Sequence, residues 1–189
     1  MCVTASLSPP PKGPPVCGYS QRMASLPKPV ELAPLRWRPL AAHDLPVVAA
    51  LEARIHAAPW SERNFRDALA AGYSARVGTR GERILAYGVL MLGPGEAQLL
   101  NLSVVPDARR MGLGRELLYQ FIDDARRLHA DQLFLEVRVG NHPAIALYEQ
   151  AGFTAIARRI AYYPPAVPGA AREDALVMRL ELGALPPLS

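Results

Sequence analysis

The sequence predicts one α/β domain built on a mixed β-sheet, and three observations lead to this fold class. Segments that alternate apolar and polar residues, typical of strands, are interleaved with segments that repeat apolar residues every three to four positions, typical of helices. Half of the 189 residues are hydrophobic, which is enough for a proper core. A glycine-containing turn joins a strand to a long amphipathic helix within residues 101–128.

The predicted elements follow the chain as one strand, two helices, three antiparallel strands, a helix, a strand, a helix and two strands. The strands are expected at about residues 36–40, 74–78, 83–92, 96–105, 132–138, 153–163 and 174–182, and the helices at about 44–56, 61–71, 112–128 and 143–151. Asp44 and Ser61 are suited to cap the first two helices, and Gly152 ends the last. The third helix shows a clear apolar stripe, formed by Leu113, Leu117, Leu118, Phe121, Ile122, Ala125 and Leu128.

The two ends of the chain differ in composition from its middle. Residues 1–33 are rich in proline and lack apolar periodicity, which predicts a disordered extension, and Met23 is an alternative start. Residues 34–183 form the predicted domain and 184–189 a short tail. Both cysteines, Cys2 and Cys17, lie in the extension, so the domain has no thiolate for catalysis or metal binding. No apolar run is long enough to span a membrane.

The net charge is too small to indicate a nucleic-acid partner. The chain carries +4 overall. Lys12, Arg22, Lys28 and Glu31 contribute +2 of this within the extension, which leaves +2 for the remainder. We therefore expect no direct contact with nucleic acid.

The turn after the fourth strand is suited to a phosphate group. Gly112 and Gly114 let the backbone approach a ligand closely, and Arg109, Arg110 and Arg115 supply donors that pair with phosphate. Free N–H groups at the start of the helix also favour an anion. A third glycine and a Gly-Lys-Ser/Thr ending are both absent, which excludes the dinucleotide and triphosphate loops. An ordinary turn with solvated arginines stays an alternative.

Three polar residues after this helix are candidates for chemistry. Glu136 lies in a strand whose other face carries Leu133, Leu135 and Val137, so it is either a general base or half of a surface ion pair with Arg138. Asn141 and Tyr148 lie two helical turns apart, on one face. Alone, Asn141 is typical of a cap, and Tyr148 of a core residue.

Together these residues resemble the GNAT family of N-acetyltransferases. Arg109-x-x-Gly112-x-Gly114 matches the family's Gln/Arg-x-x-Gly-x-Gly/Ala signature, and residues 135–138, Asn141, 145–149 and 152–153 follow at its spacing. Within the family the chain is similar to the bacterial ribosomal-protein alanine N-acetyltransferases (RimI type), on the basis of residues 58–61, 162–164 and 172–175. The resemblance covers about residues 35–182.

This resemblance implies a fold, a cofactor and roles for residues. The sheet should be mostly antiparallel, flanked by helices on both faces, with a V-shaped splay between the fourth and fifth strands that holds acetyl-CoA. Glu136 should accept the amine proton through water, Tyr148 should protonate the CoA thiolate, and Asn141 should bind the pantetheine arm, without a metal. The remaining cofactor contacts are expected from Leu102, Ser103 and Val104 on the thioester side, and from Arg109, Arg110, Met111, Gly112, Leu113, Gly114 and Arg115 around the pyrophosphate.

The resemblance also implies a substrate, the N-terminal alanine of a small-subunit ribosomal protein, in a cytoplasmic and monomeric enzyme. Trp60, Tyr162 and Tyr163 should flank the peptide entrance, although an aromatic strand end would also explain the two tyrosines. The family's Asn before Tyr-Tyr-Pro is Ala161 here, and the loop at 165–171 is longer than usual. These departures keep open a lysine or small-molecule amine as acceptor, and a non-catalytic acyl-CoA-binding module is a third hypothesis.

Overall fold

A computed structural model describes residues 33–165 and 169–183. Most of the predicted extension, residues 166–168 of the long loop and the predicted tail lie outside the described residues. The predictions for those segments, including the division into extension, domain and tail, stay predictions.

Seven strands form one sheet, in the predicted order along the chain. The strands are β1 Leu35–Pro39, β2 Ser74–Arg80, β3 Arg83–Leu92, β4 Glu96–Val104, β5 Gln132–Arg138, β6 Thr154–Tyr163 and β7 Glu173–Glu181. The helices are α1 Leu45–Ile55, α2 Glu62–Ala70, α3 Leu113–Arg127 and α4 His142–Gln150, with short 3₁₀ turns at Ala42–Asp44 and Pro106–Ala108. The order across the sheet is β1-β2-β3-β4-β5-β7-β6. Only β4 and β5 pair in parallel, which confirms the mixed, mostly antiparallel sheet.

The sheet opens between β4 and β5. Pairing of these strands begins at Glu96 with Gln132 and ends at Leu99 with Leu135, although both strands continue. The register of β3 and β4 shifts at this level, so that Leu100 is an extra residue between two paired positions of β4. The outer halves of β4 and β5 therefore diverge, which confirms the predicted V-shaped splay.

Helices cover both faces of the sheet, as predicted. On one face α3 and α4 pack on Leu133, Leu135 and Val137, whereas α1 and α2 pack on the other face around Phe65 and Tyr87. Helix α3 approaches β3 so closely that a Cβ on Gly88 would lie 2.7 Å from both the carbonyl oxygen of Asn101 and the Phe121 ring. A glycine is required at that crossing.

Two predicted details of the helices are wrong and one is confirmed. Ser61 caps α2, since its hydroxyl accepts from the N–H of Asn64 at 3.2 Å. Asp44 makes no such cap; it lies in the 3₁₀ turn and its carboxylate accepts from the N–H of Ala41 and the guanidinium of Arg38. Leu128 ends α3 with 60% of its surface exposed, because the chain leaves the helix there and turns the side chain out of the apolar stripe.

In the part of the chain that the structure describes, no helix combines the length and apolarity needed to cross a bilayer. The same residues contain no group of three or more His, Cys, Asp or Glu side chains placed to bind a metal ion.

Candidate active site

A cleft of about 170 Å³ occupies the opening between β4 and β5. Its lining comes from five elements and from the loop after α1. The polar and aromatic residues among the lining are Glu52, His56, Trp60, Asn101, Ser103, Glu136, Arg138, Asn141, Tyr148 and Tyr163. Seven of the predicted site residues, namely Trp60, Leu102, Ser103, Glu136, Asn141, Tyr148 and Tyr163, therefore meet in one cavity.

The glycine turn presents unpaired N–H groups at the start of α3. Gly112 precedes the helix with φ +86°, and no side chain caps this end. Arg110 is also in the left-handed region, at φ +62°. Among the described residues no hydrogen bond takes up the N–H groups of residues 110–115. An anion such as a pyrophosphate fits this end of a 15-residue helix, because it would accept from those groups.

The arginines of this turn surround that helix end. Arg110, Met111 and Arg115 are exposed, and Arg115 donates to the side chain of Gln150. Arg109 donates from Nε to the carbonyl of Val104 at 3.4 Å. The turn is thus connected to the β4 segment from which the thioester contacts are predicted.

The end of β4 has one free edge. Leu102, Ser103 and Val104 pair with β3 on one side, and β5 has already left on the other. Leu102 and Ser103 also line the cleft, whereas Val104 lies beyond it and its carbonyl accepts from Arg109. The backbone groups of Leu102 and Ser103 are suited to hydrogen-bond an acyl-CoA, as the resemblance implied.

Tyr148 is buried in α4 with its phenol at the cleft. Its ring packs on Phe153, with centroids 5.7 Å apart. The hydroxyl makes no hydrogen bond within the described residues. Burial, with a smaller effect of Tyr163, raises the pKa of Tyr148 above its usual value, so the phenol keeps its proton at neutral pH.

Glu136 is largely buried, with 16% of its side chain exposed. Its Oε1 lies 2.9 Å from Nε of Arg159 on β6. The predicted alternative, a solvent-facing pair with Arg138, is wrong: Arg138 pairs with Glu173 at 3.0 Å and lies over the Tyr163 ring. Glu173 lies on β7, the strand between β5 and β6. The ion pairs of Glu136 and Arg138 therefore depend on the order of strands in the sheet and not on nearness in sequence.

Asn141 has the role of a helix cap. Its side-chain oxygen accepts from the N–H of Ala144 at 3.4 Å. This is the cap role that is typical of such a residue when it is considered alone. The residue is exposed and also lines the cleft, where a pantetheine contact is predicted. That contact stays a prediction.

Aromatic residues from two directions border the cleft. Trp60 packs on Phe65 with ring centroids 5.2 Å apart. Tyr163 donates to the carbonyl of Glu136 at 3.2 Å, and burial is the main cause that raises its pKa to about 12. Tyr162 lies perpendicular to it, is exposed and does not line the cleft; the nearby Glu136 carboxylate raises the pKa of Tyr162.

Ala161 occupies a strained position in β6. Its φ is +50°, a conformation that suits glycine or asparagine, and the register with β7 is interrupted there. The N–H of Ala161 donates to Asp174 at 2.7 Å, and Arg172 donates to its carbonyl at 2.6 Å. Alanine therefore replaces the family's asparagine at a position where the backbone adopts a conformation that asparagine tolerates better.

A buried polar network surrounds Glu52, and it was not predicted from the sequence. This residue is 2% exposed, and its carboxylate accepts from Tyr87 at 2.6 Å, from Asn101 at 2.9 Å and from the N–H of Trp60 at 3.4 Å. The Ser103 hydroxyl is 3.5 Å from the carboxylate and 2.8 Å from Nε2 of His56. One signal was present: Glu52 follows Leu45 and Val48 at helical spacing, on the buried face of α1.

The Acetyltransferase (GNAT) family model matches residues 38–153, more than half of the chain. The chain belongs to the GNAT family. It is 40% identical over 139 residues to the [Ribosomal protein bS18]-alanine N-acetyltransferase of Escherichia coli, covering 74% of this chain and 92% of that protein. It is 36% identical over 142 residues to the N-alpha-acetyltransferase RimI of Mycobacterium tuberculosis, covering 71% and 85%.

Solved structures agree with the family assignment. The crystal structure of the ribosomal-protein-S18-alanine N-acetyltransferase from Escherichia coli superimposes with a TM-score of 0.74 at 36% identity, over 82% of this chain and 97% of that one. The described fold is thus the GNAT fold. The chain is an acetyl-CoA-dependent N-acetyltransferase.

Proposed function

We propose that this GNAT protein transfers the acetyl group of acetyl-CoA to the N-terminal alanine of a small-subunit ribosomal protein. The observation that carries the proposal is that Glu136 and Tyr148 line one cleft at the splay of β4 and β5. The relatives that bear the name of a ribosomal-protein alanine N-acetyltransferase support the choice of acceptor.

On the acceptor side, Glu136 takes a proton from the attacking amine through water. An unperturbed α-amino group has a pKa of about 7.7–8.0, so an amine at a protein N-terminus needs only modest assistance to become a nucleophile. Arg159 holds the carboxylate by an ion pair. This contact limits the directions in which the carboxylate can face.

On the cofactor side, acetyl-CoA supplies the activated acetyl group. The N–H groups of residues 110–115 and the neighbouring arginines bind its pyrophosphate, Asn141 binds its pantetheine arm, and residues 102–104 orient its thioester. Tyr148 gives its proton to the departing sulfur. Its hydroxyl makes no hydrogen bond among the described residues and lines the cleft, so it is free to donate to the sulfur. Burial raises the pKa of Tyr148, which keeps the phenol protonated before the reaction.

The quaternary state and location follow from the same proposal. Every group assigned above belongs to a single chain, so we infer that a monomer is active. The cytoplasm is where ribosomal proteins are made and where we place the enzyme.

A lysine side chain or small-molecule amine is a second candidate acceptor. Ala161 replaces the family's asparagine in the strand end that borders the cleft, beside a lengthened loop. A change of backbone there would alter the entrance rather than the reacting groups. The chemistry would be the same and the acceptor different.

A peptide panel tests the proposal. The purified full chain is incubated with acetyl-CoA and with peptides that begin with Ala, Ser, Thr or Met, an internal-lysine peptide whose α-amine is blocked, and small amines. Mass spectrometry then reads the products. We expect acetylation of the Ala peptide at its α-amine, faster than any other substrate.

Other outcomes of the panel are informative. Faster turnover of the blocked lysine peptide or of a small amine would replace the proposed acceptor by the second candidate. Binding of acetyl-CoA without any product would favour a binding module and would contradict the proposal.

A further inference from the structure

His56 lies on the wall of the cleft formed by α1 and β4. The residue follows α1, its side chain is 39% exposed, and it lines the same cavity as Glu136 and Tyr148. Its Nε2 is 2.8 Å from Oγ of Ser103. Within the described residues, its Nδ1 makes no hydrogen bond.

The hydrogen bonds of the network assign the proton on this ring. The Glu52 carboxylate only accepts, so Asn101 must direct its N–H₂ to Glu52, and its oxygen is then free to accept from Ser103 at 3.2 Å. The single Ser103 proton can go to Asn101, to Glu52 or to Nε2 of His56. We assign it to Asn101 or Glu52, because a proton given to His56 would leave the Ser103 oxygen 3.2 and 3.5 Å from two acceptors with no proton between them. In that assignment Nε2 of His56 carries the ring proton and donates to Ser103, and Nδ1 keeps the basic lone pair.

This arrangement is not a nucleophilic triad. Ser103 and Glu52 both approach Nε2, at 2.8 and 3.5 Å, whereas a triad places the carboxylate on the opposite ring nitrogen from the hydroxyl. The Ser103 oxygen is buried and accepts from the ring. The network holds the imidazole in place. Nδ1 is the ring nitrogen whose lone pair can accept a proton.

The charged and titratable groups around His56 come from five elements. Glu52 on α1 lies 3.5 Å from Nε2, and Tyr87 on β3 is bonded to that carboxylate. β4 contributes only the neutral Asn101 and Ser103. Lining the same cleft, β5 contributes Glu136 and Arg138, α4 contributes Tyr148, and β6 contributes Tyr163. The charged group nearest to the ring is thus the buried Glu52 carboxylate.

The reaction of a protonated amine releases two protons from nitrogen. One must leave before the nitrogen has a lone pair for attack, and the other leaves as the amide forms. A single carboxylate would have to accept twice within one turnover. Histidine is the side chain that ordinarily changes charge near neutral pH, which suits the first of these transfers.

We propose that His56 is a second proton acceptor for the incoming amine and that Glu52 positions it through Ser103. This rests on the proposed function. His56 takes the first proton, from the ammonium to Nδ1, and releases it to solvent through its exposed side. The amine nitrogen then bonds to the acetyl carbon, and the carbon–sulfur bond breaks. Glu136 takes the second nitrogen proton through water, Tyr148 protonates the thiolate, and the proton on Glu136 restores Tyr148.

The test compares pH profiles of kcat/KM for an Ala-starting peptide in wild type and His56→Gln. Glutamine keeps an N–H donor for Ser103 but has no basic nitrogen. We expect a loss of about 10-fold at pH 6.5 and of less than about 2-fold at pH 9, where the peptide amine is already neutral. KM for acetyl-CoA should not change. Imidazole in the buffer should restore part of the activity of His56→Ala at pH 6.5.

His43→Gln is the matched control, because His43 is exposed beside Asp44 and does not line the cleft. It should follow the wild-type profile. If His56→Gln loses kcat/KM equally at both pH values, or loses none at pH 6.5, the role of His56 is refuted. The proposed function still stands in that case, provided that the wild type acetylates the peptide. Failure of the wild type to acetylate the peptide would refute the proposed function, and with it the assignment of the first proton to His56.

Discussion

The two walls of the cleft are built differently. On the α1–β4 wall, Glu52 is buried and five groups donate to its carboxylate or lie close to it, so the wall is held by hydrogen bonds away from water. On the β5–β6 wall, Glu136 relies on Arg159, which is more than half exposed, and on a strand with an interrupted register. The first wall is organised like a core and the second like a surface.

The two walls therefore suit different roles: the first is rigid and the second can adapt. A buried, satisfied network holds a geometry because each broken hydrogen bond leaves an unpaired polar group. Exposed ion pairs contribute little to stability and exchange partners readily. The α1–β4 wall therefore suits the invariant part of the reaction, and the β5–β6 wall suits the part that must admit different acceptors.

The largest effect should come from the reacting groups themselves. Glu136→Gln is expected to lower kcat about 100-fold, because the amide cannot accept the amine proton. Tyr148→Phe should act on kcat in the same direction through loss of the proton donor to sulfur. Steady-state kinetics with the preferred acceptor measure both.

Glu149→Gln is the control for this pair, since Glu149 is exposed on α4 beside Tyr148 and does not line the cleft. Unchanged kcat in Glu136→Gln and Tyr148→Phe would show that the acid and base are wrongly assigned even in an active enzyme.

The next effect tests the rigidity of the α1–β4 wall. Glu52→Gln puts an N–H₂ group where the carboxylate accepts from donors on both oxygens, so at least one buried donor loses its acceptor. We expect the free energy of unfolding to fall by about 1–3 kcal/mol. Urea denaturation followed by circular dichroism measures it.

Glu62→Gln is the comparison for that variant. Glu62 pairs with Arg66 on the surface of α2, so its loss should cost about 0.5 kcal/mol or less. Equal stability of the two variants would remove the distinction between a core-like wall and a surface-like one.

The smallest effect belongs to the strained end of β6. Ala161→Gly removes the Cβ that is unfavourable at φ +50° and should raise the free energy of unfolding by about 0.5–1 kcal/mol. Ala155→Gly, at an exposed and unstrained position of the same strand, should instead lower it by about 0.5–1 kcal/mol. Thermal melts measure both variants. If the melting temperature changes in the same direction in the two, there is no strain to relieve at Ala161.

The sequence predicted the mixed sheet, the order of its elements along the chain and the cleft, because local patterns and a specific signature lie on the elements that build them. The alternation in β5 and the glycine turn before α3 are read from neighbouring residues. It did not predict the partner of Glu136, because Arg159 becomes a neighbour only through the order of β5, β7 and β6. For the same reason Arg138 bonds to Glu173 rather than to the carboxylate two residues before it.

The Glu52 network was missed for a different reason. Its members come from α1, β3 and β4, up to 51 positions apart, and each is ordinary in its local sequence. Asp44 shows the reverse error: a residue typical of a helix cap is turned to Arg38 and Ala41 by a 3₁₀ turn that composition does not reveal. Polar contacts between distant elements depend on tertiary structure, which sequence periodicity does not encode.

The short pairing of β4 with β5 has a mechanical consequence. Four residue pairs join a four-stranded half-sheet to a three-stranded one, so the two halves are held together by few backbone hydrogen bonds. A molecule that lies in the opening and bonds to both halves would add to the contacts between them. Occupancy and stiffness of the domain are thereby coupled: at a concentration 100 times its dissociation constant, such a ligand adds about 2.7 kcal/mol to the folded state.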